Sequence, residues 1–221
     1  MIRFSRVAAT ALTLGLLATL APAARAQQPP RNARLFLQPI VTLAQLAEVQ
    51  AELKLTDAHK TKAAELQRRL NEERQTIWQD AAGDWDKIRE ETNKLNAKIA
   101  KEFKDALDEG QQMRLLEIFV QVNGLVALQD PALVEALKFS DEQNAKLEKA
   151  IADNREKWFA AFQDFQNMSE EERAAKTDEL IKNRDEALGA VMTDEQKKSL
   201  EAMKGAALKI DLEKLPNPFA R

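Results

Sequence analysis

His59 is the one imidazole in 221 residues, and the chain has no cysteine, so the groups able to do chemistry are few. Hydrolytic catalysis needs a nucleophile, a base and an orienting acid within reach of one another. His59 instead takes the third helical position of a polar helix start, Leu55-Thr56-Asp57-Ala58-His59. It reads there as an exposed helix-end residue and not as a catalytic base. The paired carboxylates Glu72-Glu73 and Glu90-Glu91 are neighbours in sequence. On a helix such neighbours point to different faces, so neither pair flanks a substrate as glycosidase carboxylates do. They read as solvated charge, some of it in i,i+4 partnership such as Asp153 with Lys157. No catalytic and no cofactor-binding residue is assigned, and the chain is not expected to be an enzyme.

Metal binding fares no better. Glu170-Glu171-Glu172 lies in a helical first turn, where carboxylates suit the positive end of the helix dipole. Carboxylates alone make a weak transition-metal site. Met113, Met168, Met192 and Met203 are scattered along the chain and read as core filler, not as a copper(I) site. The aromatics carry more information. Trp158-Phe159-Ala160-Ala161-Phe162-Gln163-Asp164-Phe165 holds four large rings, and helical neighbours lie about 100° apart, so one stripe cannot bury them all. The rings either pack inside a long hairpin or a dimer, or leave apolar area exposed as a contact surface. Trp78 and Trp85 from the first half join Trp158, Phe159, Phe162 and Phe165 as the candidate binding residues.

The elements that position these rings follow from a repeat. Phe139-Ser140-Asp141-Glu142-Gln143 has relatives in Leu55-Thr56-Asp57-Ala58-His59, Leu107-Asp108-Glu109-Gly110-Gln111 and Met192-Thr193-Asp194-Glu195-Gln196. The copies divide the chain into two halves, each opening and closing with one. Thr56, Asp108, Ser140 and Thr193 can each accept from an orphan N–H of the first turn, while Gln111, Gln143 and Gln196 reach back to the cap's own N–H. That is a capping box, so the copies mark helix starts. The hydrophobic staple that often goes with it fails, because the fourth helical residues are Lys60, Gln112, Asn144 and Lys197. Leu55, Leu107, Phe139 and Met192 must therefore bury themselves against other helices.

A hydrophobic residue followed by T-x-x-Q, repeated at helix starts in an exported all-helical chain, resembles the LTxxQ family of Spy- and CpxP-like periplasmic proteins. Met192-Thr193-Asp194-Glu195-Gln196 is one conservative change from the full motif; elsewhere Ser140 and Asp108 stand for Thr, and His59 for Gln. Gly124-Leu125-Val126-Ala127-Leu128 before Asp130-Pro131, and the tail Leu215-Pro216-Asn217-Pro218-Phe219, are similar to planctomycete-type members with two tandem copies. The resemblance implies an ATP-independent chaperone or stress-response factor that holds partly unfolded clients on an apolar helical surface. It also implies that two copies in one chain could form an intramolecular pseudo-dimer in place of a homodimer.

Along the chain, Arg3 and Arg6, an apolar run from Val7 to Ala21 and Ala24-Arg25-Ala26 give the layout of a cleavable secretory signal over 1–26, cut after Ala26. The mature chain is then expected in the periplasm or outside the cell, without a membrane span. Cleavage shifts the formal charge from −3 to −6, leaving 30 basic and 36 acidic residues. Nucleic acid, which needs a concentrated basic face, is an unlikely partner on that balance. Six glycines, no tyrosine and an abundance of strong helix formers predict an all-α fold of two tandem hairpin repeats with no sheet. The expected divisions are a flexible leader over 27–38, a first repeat over 39–129, a second over 130–206 and a tail over 207–221. Ile40, Leu43, Leu46, Val49 and Leu53 predict one amphipathic helix after Pro39. Trp85, Ile88, Thr92, Leu95, Ile99, Phe103 and Leu107 predict a rod of roughly 35 Å. Two other uses of the same helices remain: a structural or assembly role in the cell envelope through fixed homo- or hetero-oligomers, and, on one histidine less readily, a metal sensor or store.

Overall fold

The computed structural model describes residues 37–214, and the expected signal segment, most of the leader and the tail from 215 lie outside them. Those residues form nine α-helices and short 3-10 turns, with no strand among them. In chain order the helices are α1 (Ile40–Leu43), α2 (Ala47–Glu52), α3 (Asp57–Asp80), α4 (Trp85–Lys104), α5 (Glu109–Asn123), α6 (Pro131–Ala136), α7 (Asp141–Asp164), α8 (Glu170–Val191) and α9 (Asp194–Ala202).

The two halves match in the order and register of their helices. Helices α2 and α6, like α3 and α7, start 84 residues apart, as from Asp57 to Asp141. After the hairpin tips the offset becomes 85, as from Glu109 to Asp194, because the second tip is one residue longer. Each half thus sends out one long hairpin, α3/α4 and α7/α8, and we refer to these as the two arms. A shared base joins them. Helix α5 is its spine, with Leu115, Ile118, Phe119, Val120 and Val122 all buried.

All four copies of the repeated motif close the expected capping box. Thr56, Asp108, Ser140 and Thr193 accept from the N–H of His59, Gln111, Gln143 and Gln196, whose side chains accept in turn from the cap's N–H. Ser169 and Glu172 make a fifth. These hydrogen bonds to Ser169 hold the Glu172 carboxyl below the usual carboxylate range. The hydrophobic first residue also finds a reason. Lys54 and Lys138 sit at equivalent left-handed positions, φ 51° and 55°. The next N–H, of Leu55 or Phe139, returns to Gln50 O at 2.9 Å or Val134 O at 3.3 Å. This is a Schellman motif ending α2 and α6, in which the residue after the left-handed turn tucks against its own helix. Leu55, Leu107 and Met192 are buried and Phe139 is half-buried against the core.

The glutamines do more than cap. Gln111 Nε2 donates to Leu53 O at 2.8 Å and Gln196 Nε2 to Leu137 O at 3.2 Å, so each ties the end of the short helix in its own half. Gln143 Nε2 donates to Val191 O at 2.9 Å, and the Gln143 and Gln196 amides exchange bonds of 2.7 and 3.1 Å. A glutamine amide offers an acceptor for the box and a donor across the corner at once. His59 Nδ1 accepts from Thr56 N at 3.4 Å and completes its box only. His59→Gln is therefore expected to stabilise the fold by about 1 kcal/mol, the worth of one added hydrogen bond, read as a higher urea midpoint. An unchanged or lower midpoint refutes the double use of the amide.

Four expectations are corrected. Met113, expected as core filler, is 66% exposed on α5. The single helix after Pro39 is two, because Ile40 to Ala44 are buried on every side and Leu46 is extended (φ −75°, ψ 132°). Gln50 Nε2 satisfies the freed Ala44 carbonyl at 3.0 Å. The rod that begins at Trp85 stops at Lys104, about 30 Å long, since Asp105 and Ala106 turn the chain before Leu107. Asp153 pairs with Lys149 at 2.7 Å, not with Lys157. Helical side chains lean toward the N-terminus, which carries the short carboxylate that way.

Two polar side chains fasten the chain's outer segments to α5. Asn123, itself buried, accepts from Gln38 N at 2.6 Å and donates to Gln38 O at 3.1 Å and Phe119 O at 2.9 Å. Gln38, the last residue of the expected leader, is buried there. Gln121 accepts from Leu208 N at 3.0 Å and donates to Ala206 O at 2.7 Å. Residues 204–212 thus run along α5 as a strap whose Leu208, Ile210 and Leu212 pack on the core at a two-residue period.

Candidate functional site at the arm tips

Burial thins from base to tip. In α4, Ile88, Leu95, Ile99 and Phe103 are buried, whereas Trp85 at its first position is not. In α7 only Leu147 and Ala161 are buried. The inner arm is also clamped by charge, since Arg69 donates to Glu102 across the first hairpin and holds that carboxyl below its usual range. Arg74, its charge disfavoured by burial, reaches Asn96 at 2.9 Å.

At the tips the rings gather. Trp78 lies in the last turn of α3; Ala82 and Gly83, both at positive φ, turn the chain; and Asp84 caps α4 by accepting from Asp86 N and Lys87 N. That turn sets Trp85 edge-on to Trp78, with ring centres 4.9 Å apart at 86°. From the other arm, Phe159 of α7 meets Trp85 at 4.5 Å. Phe162 and Phe165 form a second pair at 5.7 Å on the same arm. Trp78, Trp85, Phe159 and Phe162 remain 51, 38, 40 and 63% exposed. Phe165 and Trp158 are half-buried, and Trp158 stands outside both groups of rings among the described residues. Of the six residues singled out in the sequence, the fold therefore joins three from both arms into one aromatic crown and places two beside it.

The contacts that close the arms at their tips are weak ones. The Trp85–Phe159 contact belongs to a class worth about 0.5–1.5 kcal/mol. Arg155 of α7 pairs with Asp86 of α4 at 3.2 Å, but the Asp86 side chain is 75% exposed, and such surface pairs give about 0–1 kcal/mol. Asp86 and Arg155 are neighbours of the crown that sequence reading missed. Nothing in the sequence sets residues 69 apart side by side except the two-fold register of the arms.

Chemically, the crown offers apolar and π faces rimmed by charge. It presents no nucleophile beside a base. Among the described residues no three His, Asp or Glu side chains cluster as metal ligands, and no helix is long and apolar enough to cross a membrane. Compared with family models, curated proteins and solved structures, the chain matches none.

Proposed function

We propose that this chain is an exported, Spy/CpxP-like binding protein that acts without ATP and without catalysis, holding partly unfolded proteins at its aromatic crown. The observation that carries this reading is that solvent-exposed rings from two separate arms, Trp78, Trp85 and Phe159, meet at one place. A folded chain that leaves several large apolar side chains exposed and adjoining, on helices otherwise covered with Lys and Glu, has the makings of a binding face. Contact through several small apolar faces is weak and exchanges quickly, while the charged flanks keep the holder soluble and attract clients. The duplicated halves supply both sides of the face within one chain, a pseudo-dimer. After cleavage behind Ala26 the protein works in the periplasm or outside the cell.

Light scattering of a reduced, aggregating test protein checks this. The unaltered mature chain is expected to suppress aggregation near equimolar ratio. The double variant Phe159→Ser, Phe162→Ser is expected to lose the suppression with its helical circular dichroism intact. Absence of suppression by the unaltered chain sinks the holding function and leaves the other use of the same face, fixed assembly with one envelope partner.

A further inference from the structure

Below the crown a groove of about 470 Å³ runs between the arms toward the base, with Pro131 at the start of α6 on its inner side. Its lining on α4 is two rows at four-residue spacing, Arg89, Asn93 and Ala97 on the face that begins with Trp85, and Asp86, Glu90 and Lys94 beside them. Across it, α7 contributes Glu148. Arg89 is half-buried, and its Nε is buried without a hydrogen-bond acceptor among the described residues. The neighbouring cations are matched: Lys94 binds Glu90 and Glu91, and Arg155 binds Asp86.

We propose that this groove seats one extended segment of the bound polypeptide, with a side-chain carboxylate on Arg89 and an apolar residue on Trp85 and Phe159. The inference rests on the holding function and adds a preference which that function does not require. A carboxylate is the group that best satisfies a guanidinium with an N–H left over, since it accepts two parallel N–H bonds. The spacing then fixes a pattern. Trp85 and Arg89 are four helical residues apart, roughly 6 Å along α4. Two residues of extended chain cover about the same distance, and residues i and i+2 of such a chain face the same side. The preferred segment is therefore an aromatic residue, any residue, then an acid. The chain's own segments outside the described residues do not supply it, because neither 1–36 nor 215–221 contains an aspartate or glutamate.

The test is fluorescence anisotropy of the mature protein with three fluorescein-labelled hexapeptides, identical but for a central Phe-Ser-Asp, Phe-Ser-Asn or Phe-Asp-Ser. The Phe-Ser-Asp peptide is expected to bind about tenfold tighter than the other two, the scale of one charged hydrogen-bonded pair. Arg89→Ala is expected to erase that preference while leaving the weaker binding of Phe-Ser-Asn and the helical circular dichroism unchanged, with Arg89→Lys in between. Equal affinity for all three peptides, no binding of any, or a preference that survives Arg89→Ala overturns the proposal. Where that happens while aggregation is still suppressed, the groove fails and the holding function stands. A preference that appears only together with self-association of the protein assigns the groove to a second copy and likewise overturns it.

Discussion

Asn123→Asp is expected to lower the stability of the fold by about 3 to 5 kcal/mol at pH 7, the scale of leaving a buried charge uncompensated. The substitution is nearly isosteric, so packing is untouched. It removes the amide donor that serves Gln38 O and Phe119 O and faces those two carbonyls with a carboxylate in a buried site. Burial and the facing carbonyls disfavour the charged form, which raises the folded-state pKa of the new carboxyl above its unfolded value. The folded state then binds the proton more tightly. The variant is therefore least impaired below the ordinary aspartate range, and the deficit grows as pH rises from there through the raised folded pKa. Urea unfolding of parent and variant at pH 7 and pH 4 measures both effects. A variant as stable as the parent at pH 7, or one whose deficit is larger at pH 4, would show that Asn123 does not fasten residue 38 to α5.

The second large effect separates the two ends of one helix. Phe103 is fully buried in the base, and Phe103→Ala is expected to cost about 3–5 kcal/mol, as deletion of a core aromatic does. Trp85 begins the same helix but is over one-third exposed, so Trp85→Ala is expected to cost about 1 kcal/mol, mostly its two ring contacts. Suppression of aggregation is expected to follow the opposite order once each protein is assayed well below its melting temperature, lost with Trp85→Ala and retained with Phe103→Ala. If the two substitutions cost the same stability, the arms are packed as tightly at the tip as at the base and the crown is not a free face.

What could be read from the sequence was whatever is decided locally. Each capping box needs only a short polar residue and a Gln, Glu or His three positions on, so the starts of α3, α5, α7, α8 and α9 were legible, as was the all-α class. The break after Leu43 was not, since the three- and four-residue spacing of Ile40, Leu43 and Leu46 is the same whether the chain stays helical or turns. The aromatic run in α7 showed that some rings had no helix stripe to occupy, but not where they would go. That depended on Phe159 meeting Trp85 from the other arm, a contact between residues 74 apart. The second role of Gln111, Gln143 and Gln196 was hidden for the same reason. A capping glutamine uses its oxygen locally, and the destination of its remaining N–H groups is set by the tertiary fold.

The matched register of the two halves has a consequence for how the protein behaves on dilution. Trp85 and Phe159 are carried by one polypeptide, so their meeting is unimolecular, and the linker that joins them fixes their effective concentration whatever the bulk value. A crown assembled from two separate chains would come apart as the protein was thinned out. This one keeps its geometry down to a single molecule.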